Sequence, residues 1–201
     1  MMRTFLLTIA SFALASPASA QDETYPADEV FEAFRDGCGP IENQASTAAR
    51  LEARGWRKVD AEDQAGELAD FIAFSNELAL GAVAAEDATM SPLQAFEKTV
   101  ADEKVFIILD EYVLDGSRVS GCQLYDFGES RSIPPSFGER QLGREPDNLL
   151  DRPEIQRSEW TPGLNPEHDS FRIFYVPADS PAAEMLRFTG VVLMSDTLGA
   201  N

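Results

Sequence analysis

From Asp28 onward the apolar residues Val30, Phe34 and Cys38 recur in steps of four, with Phe31 beside them. That period predicts a helix with one buried face, capped by Asp28 and stopped by Gly37, Gly39 and Pro40. A second helix is predicted over 43–54, where Ala45, Ala48, Ala49 and Leu51 make a small-residue face and Gly55 follows as a stop. Trp56, next to that glycine, is expected to contact the last helical turn and to lie in the core. Asp60 can cap a third helix, whose Leu68, Phe71, Ile72 and Leu78 keep helical spacing while Glu67, Asp70 and Glu77 face water. Ser91-Pro92-Leu93-Gln94 has the form of a helix start, with Leu93, Phe96 and Val100 as a buried stripe.

The pattern changes at Lys104. Residues 105–109 and 119–127 are rich in branched and aromatic side chains around an Asp115-Gly116 turn, which predicts an antiparallel hairpin. Gly121 marks a bulge or a close backbone approach. Residues 128–170 read as an ordered irregular excursion rich in Pro, Gly and Arg, with a short helix from Ser136 to near Gly143 and a strand around 156–160. Residues 171–176 and 187–195 alternate as strands, and Ser180-Pro181 starts a short helix between them. The fold class expected is α+β: an N-terminal helical layer on a small, mainly antiparallel sheet, with one disulfide. Residues 28–201 are expected to form a single domain, mainly helical over 28–103 and mainly strands over 104–201.

Before that domain, residues 1–20 carry one charge, Arg3, then an apolar stretch and Ala18-Ser19-Ala20. This is the layout of a secretory signal cleaved after Ala20, leaving residues 21–27 as a flexible mature start. The expected location is the periplasm of a Gram-negative bacterium or the exterior. Past the signal the longest apolar run is 78–85, far below a membrane span, so no membrane insertion is expected.

Charge narrows the partners. The whole chain carries a formal −19, with −13 over residues 21–103 and −7 over 104–201. A nucleic-acid reader needs Lys and Arg on phosphates, so nucleic acid is excluded as a partner. A protein with a basic surface is the partner class that this charge suits, although solubility alone also explains it.

In an oxidising compartment Cys38 and Cys122 pair most simply as one disulfide. A paired sulfur is not a thiolate nucleophile. No histidine or cysteine pair stands at metal-ligand spacing, and neither a metal nor a cofactor is expected. The candidate calcium loop from Asp60 lacks glycine at its sixth position and has Phe71 where a bidentate glutamate belongs. GxSxG, P-loop, HExxH and SxxK motifs are absent. Glu167-His168-Asp169 is the one local constellation, either a solvated turn or a ligand or pH-sensing site. The function expected is a non-enzymatic protein- or ligand-binding module of inhibitor or immunity type. The alternative is a carboxylate-dependent hydrolase whose site is covered by residues 128–170.

Overall fold

The computed structural model describes residues 24–60, 66–86, 88–114 and 116–200. The predicted signal, residues 1–20, and residues 21–23 of the start expected after it lie outside the described residues, as does Asp115 of the predicted turn.

The first two helices are α1 (Ala27–Cys38) and α2 (Gln44–Ala53). Asn43 caps α2 by accepting the Ser46 N–H at 2.9 Å. Trp56 is 3 % exposed, and its N–H bonds the Leu51 carbonyl at 3.0 Å, as its place after Gly55 predicts. Strand β1 (Arg57–Val59) precedes α3 (Glu67–Glu86), and β2 (Thr89–Met90) follows it.

The helix expected from Ser91 does not form. Residues Gln94–Val100 are strand β3, paired with all of the facing half of β4 (Glu103–Leu114). Ala95 and Phe96 are both buried, in the two different cores, which a strand allows and a single helical stripe does not. Ala101 and Asp102, at φ 48° and 69°, turn the chain between the two strands. The ladder of seven paired residues and burial on both faces outweigh a local cap.

The predicted hairpin is β4 with β5 (Ser117–Phe127). The stretch 128–170 holds more regular structure than expected: α4 (Pro135–Leu142), β6 (Asn148–Arg152) and β7 (Ile155–Trp160). Ser136 lies inside α4, which starts with Pro135 at its first position rather than with a serine cap. The chain closes with β8 (Ser170–Val176), α5 (Pro181–Leu186) and β9 (Gly190–Ala200).

Among the described residues all pairings are antiparallel, in one nine-stranded sheet of order β1-β3-β4-β5-β9-β8-β7-β6, with β2 beside β4. The sheet is therefore large, not small, and helices cover both of its faces. On one face α1, α2 and α4 bury Phe31, Phe34, Leu51 and Phe137 against Phe96, Ile107, Leu124 and Phe171. On the other, Leu68, Ile72 and Phe71 of α3 and Ala182 of α5 meet Ile108, Tyr125, Val192 and Phe188. Each fully buried side chain of this size contributes roughly 1.5–3 kcal/mol of transfer free energy.

Cys38 and Cys122 are joined, with Cα atoms 5.6 Å apart. The bond ties the C-terminal end of α1 to the centre of the sheet.

Candidate functional site

The bond between Cys38 and Cys122 leaves neither sulfur free to act as a thiolate. The other residues singled out by sequence do not converge. Glu167 is exposed, and its N–H bonds the Asn165 side chain at 2.8 Å in a local turn. His168 turns inward and is 1 % exposed, with Nδ1 2.6 Å from Ser195 Oγ. Asp169 is exposed again, and its carboxylate accepts the Leu198 N–H. The turn ahead of β8, closed by the His168 N–H on the Asn165 carbonyl at 3.1 Å, directs His168 into the core and leaves its two neighbours at the surface. Burial holds the imidazole below its ordinary range, against the pull of the Gly39 backbone, Asp196, Glu167 and Asp169.

Three other polar arrangements are built by the fold. The first is a groove of about 710 Å3 between α3 and the β1–β3 edge, lined by Gln44, Lys58, Asp60, Ile72, Asn76 and Gln94 among others. Its floor is a relay of hydrogen bonds. Lys58 Nζ donates to Gln94 Oε1 at 2.9 Å, Gln94 donates to Gln44 Oε1 at 3.1 Å, and Gln44 donates to the Pro92 carbonyl at 2.9 Å. A second groove of about 390 Å3, lined by Asn76, Ala79, Leu80, Met90, Ser91 and Pro92, meets it at Asn76 and Pro92. Most of this second lining is apolar. Leu80, in that lining, is 70 % exposed.

The helix that carries Leu80 is acidic. From Val59 to Glu97 the chain has nine Asp and Glu and no Lys or Arg. Glu67, Asp70 and Glu77 of α3 are exposed. That base-free stretch is readable in the sequence; its meeting with an apolar groove is not, because the sequence pattern predicts a helix where β3 lies and no element at β1 or β2.

The second arrangement is on the same side of the sheet, where β4, β5 and β9 place Asp110, Gly121 and Asp196 in register. The expected close approach at Gly121 is real: a Cβ there would lie 2.2 Å from Asp110 Oδ1. Burial raises the Asp110 carboxyl, while the Gln123 amide, donating at 2.6 Å, and the Gly121 backbone partly restore it. Asp196 accepts from Arg172 and from Ser170, each at 2.6 Å. Glu159 lies 3.5 Å from the same arginine.

The third lies where β5 ends near the start of α1. Ligand atoms of Glu103, Asp126 and Glu129 are all within 4.8 Å of one another, the one such carboxylate cluster among the described residues. Arg131 pairs with Glu103 at 2.5 Å and with Glu129 more closely still. Arg131 holds the Glu129 carboxyl low. Burial pushes Asp126 up to about 6; Tyr25 counteracts this, and Glu103 and Glu129 add to it. The Tyr25 phenol is raised far above its usual range by burial and by the facing Asp126.

Among the described residues no helix is long and apolar enough to cross a membrane. Comparison of the chain with protein-family models, with curated proteins and with solved structures gives no match.

Proposed function

We propose that the chain is an exported protein-binding module whose α3 groove receives a basic, amphipathic segment of a partner protein. The observation that carries this reading is the junction of the two grooves at Asn76 and Pro92, with the exposed Leu80 in the lining, on a helix without a basic residue. A lone exposed leucine is ordinary; an exposed leucine set among Ala79, Met90 and Pro92 in one groove makes a contiguous surface of the kind that partners cover. Acidic side chains around it favour Lys and Arg at the rim and repel polyanions. The hydrogen-bonded floor of Lys58, Gln94 and Gln44 offers a rigid polar end to orient the segment. Export is supported by the formed disulfide, which persists in oxidising compartments.

A labelled peptide of alternating Leu and Lys helical faces serves as probe, with Glu replacing Lys in the control. The basic peptide should bind the mature chain, more weakly as salt rises. Leu80→Ser should weaken it on the order of tenfold, about 1.4 kcal/mol, without lowering the melting temperature. Equal binding of both peptides, or binding indifferent to Leu80→Ser, would remove the groove from the proposal.

A second reading, carboxylate-assisted hydrolysis, has one observation in its favour: half-buried Asp110 and Asp196 flank Gly121 on one face of the sheet. Its mark would be a hydrolytic activity abolished by Asp196→Asn and untouched by Leu80→Ser.

A further inference from the structure

We infer that the partner segment proposed for the α3 groove continues as a helix across the end of the sheet, with its apolar face on Met90, Tyr112, Val119 and Leu198 and its basic edge over Asp110 and Asp196. This rests on the groove reading and extends the contact from one helix to four strands.

Strand register assembles the surface. Phe106 and Ile108 of β4 pack toward α3, so the two-residue alternation points Asp110 and Tyr112 to the same side. Tyr112 stands opposite Met90 of β2 and Val119 of β5, and Val119 stands opposite Leu198 of β9. The four side chains form one apolar row across β2, β4, β5 and β9. Met90 also lines the groove that holds Leu80, which makes groove and row one continuous surface. Leu198 is 60 % and Tyr112 36 % exposed, although the same face is buried under α3 and α5 elsewhere.

The neighbouring row selects the occupant. Two residues along the same strands come Asp110, Gly121 and Asp196. The Asp110 carboxylate lies over Gly121, where a Cβ would come 2.2 Å from Oδ1, so it reaches across β5 toward Asp196. Arg172 lies 2.6 Å from Asp196 and 3.5 Å from Glu159, one cation among three carboxylates on this side of the sheet. A surface apolar in one row and acidic in the next matches a helix with leucines on one face and Lys or Arg along an edge of that face. A second copy of the chain fits less well, since it would set two formal charges of −19 against each other. Dimensions agree with a helix: three steps of about 4.8 Å between strands make a row of roughly 14 Å, the length of about nine helical residues, and one turn of about 5.4 Å advances nearly one strand.

The test titrates the mature chain with two labelled Leu/Lys peptides, of about two and about five helical turns, read by fluorescence anisotropy. The longer peptide should bind on the order of tenfold more tightly than the shorter. Leu198→Ser should remove that gain and leave the shorter peptide and the melting temperature unchanged, whereas Leu80→Ser should weaken both peptides. Asp196→Asn should flatten the salt dependence of the longer peptide alone. A longer peptide weakened by Leu80→Ser but indifferent to Leu198→Ser and Asp196→Asn overturns the row and leaves the groove standing. Loss with Leu198→Ser alone supports the row and removes the groove. No binding of either peptide, or a peptide-free dimer in sedimentation that Leu198→Ser dissociates, overturns the proposal.

Discussion

His168 shows how one side chain couples burial to pH. Its imidazole is held below its ordinary range, while in the unfolded chain it titrates near about 6.5. Below that pH the unfolded chain takes up a proton that the folded chain refuses, so stability falls as pH falls. The contribution is complete above about 6.5 and is lost on acidification. Asp126, pushed up to about 6, works in the opposite direction, so the difference between wild type and His168→Gln isolates the histidine. Urea unfolding at about pH 7.5 and pH 5 should show a steeper acid loss in wild type than in the variant; parallel losses would show that the imidazole does not titrate with unfolding. The sequence singled out this residue and left open whether it met solvent or a site. Its inward turn depends on β9 placing Ser195 opposite, which no local pattern records. Asp126 and Tyr25 were less legible still, because they are ordinary residues until the fold brings them together.

Elements with their own period were readable, and elements defined by their neighbours were not. Helices α1 and α2 form within a residue or two of the expected bounds, since each buries a stripe against one layer. Strand β3 follows a serine-proline pair that imitates a helix start, and β4 overrides it. Strand β6 has mostly exposed residues and no apolar alternation, so only its pairing with β7 defines it. Helix α4 shows that an element can be required by a contact: Gly138 lies over Trp160 of β7, where a Cβ would come 2.2 Å from the indole. Trp160 is fully buried and stacks on Phe171, so it has no room to retreat. Gly138→Ala should therefore lower unfolding free energy by about 1–3 kcal/mol despite alanine's better helix propensity. Denaturant midpoints decide this, and a stabilised variant would mean that α4 lifts freely.

Across the whole molecule, one covalent link spans two layers. The 84-residue separation of Cys38 and Cys122 restricts the unfolded chain by about 4–5 kcal/mol in the entropic description. Both sulfurs are completely buried between α1 and the sheet. The double variant Cys38→Ser, Cys122→Ser should lose about 2–5 kcal/mol and fold best in the cold, as thermal melts with and without reductant would show. A melting temperature equal to wild type would mean that the helical layer is held by packing alone. Helices on both faces also divide the molecule electrostatically. The acidic, base-free helix α3 lies across the sheet from the disulfide, and the carboxylate cluster with Arg131 lies near the start of α1.

The sequence alone determined the α+β class, the joining of the two cysteines, the first helices and the central hairpin. Each of these follows from residue type and short-range period, which act through local backbone preference and the burial of one face. Tertiary structure decided the sheet's nine strands, the second helical layer, the groove beside α3 and the meeting of Tyr25 with three carboxylates. Those depend on contacts between residues far apart in the chain, where pairing partners and shared burial, not local propensity, set the free energy.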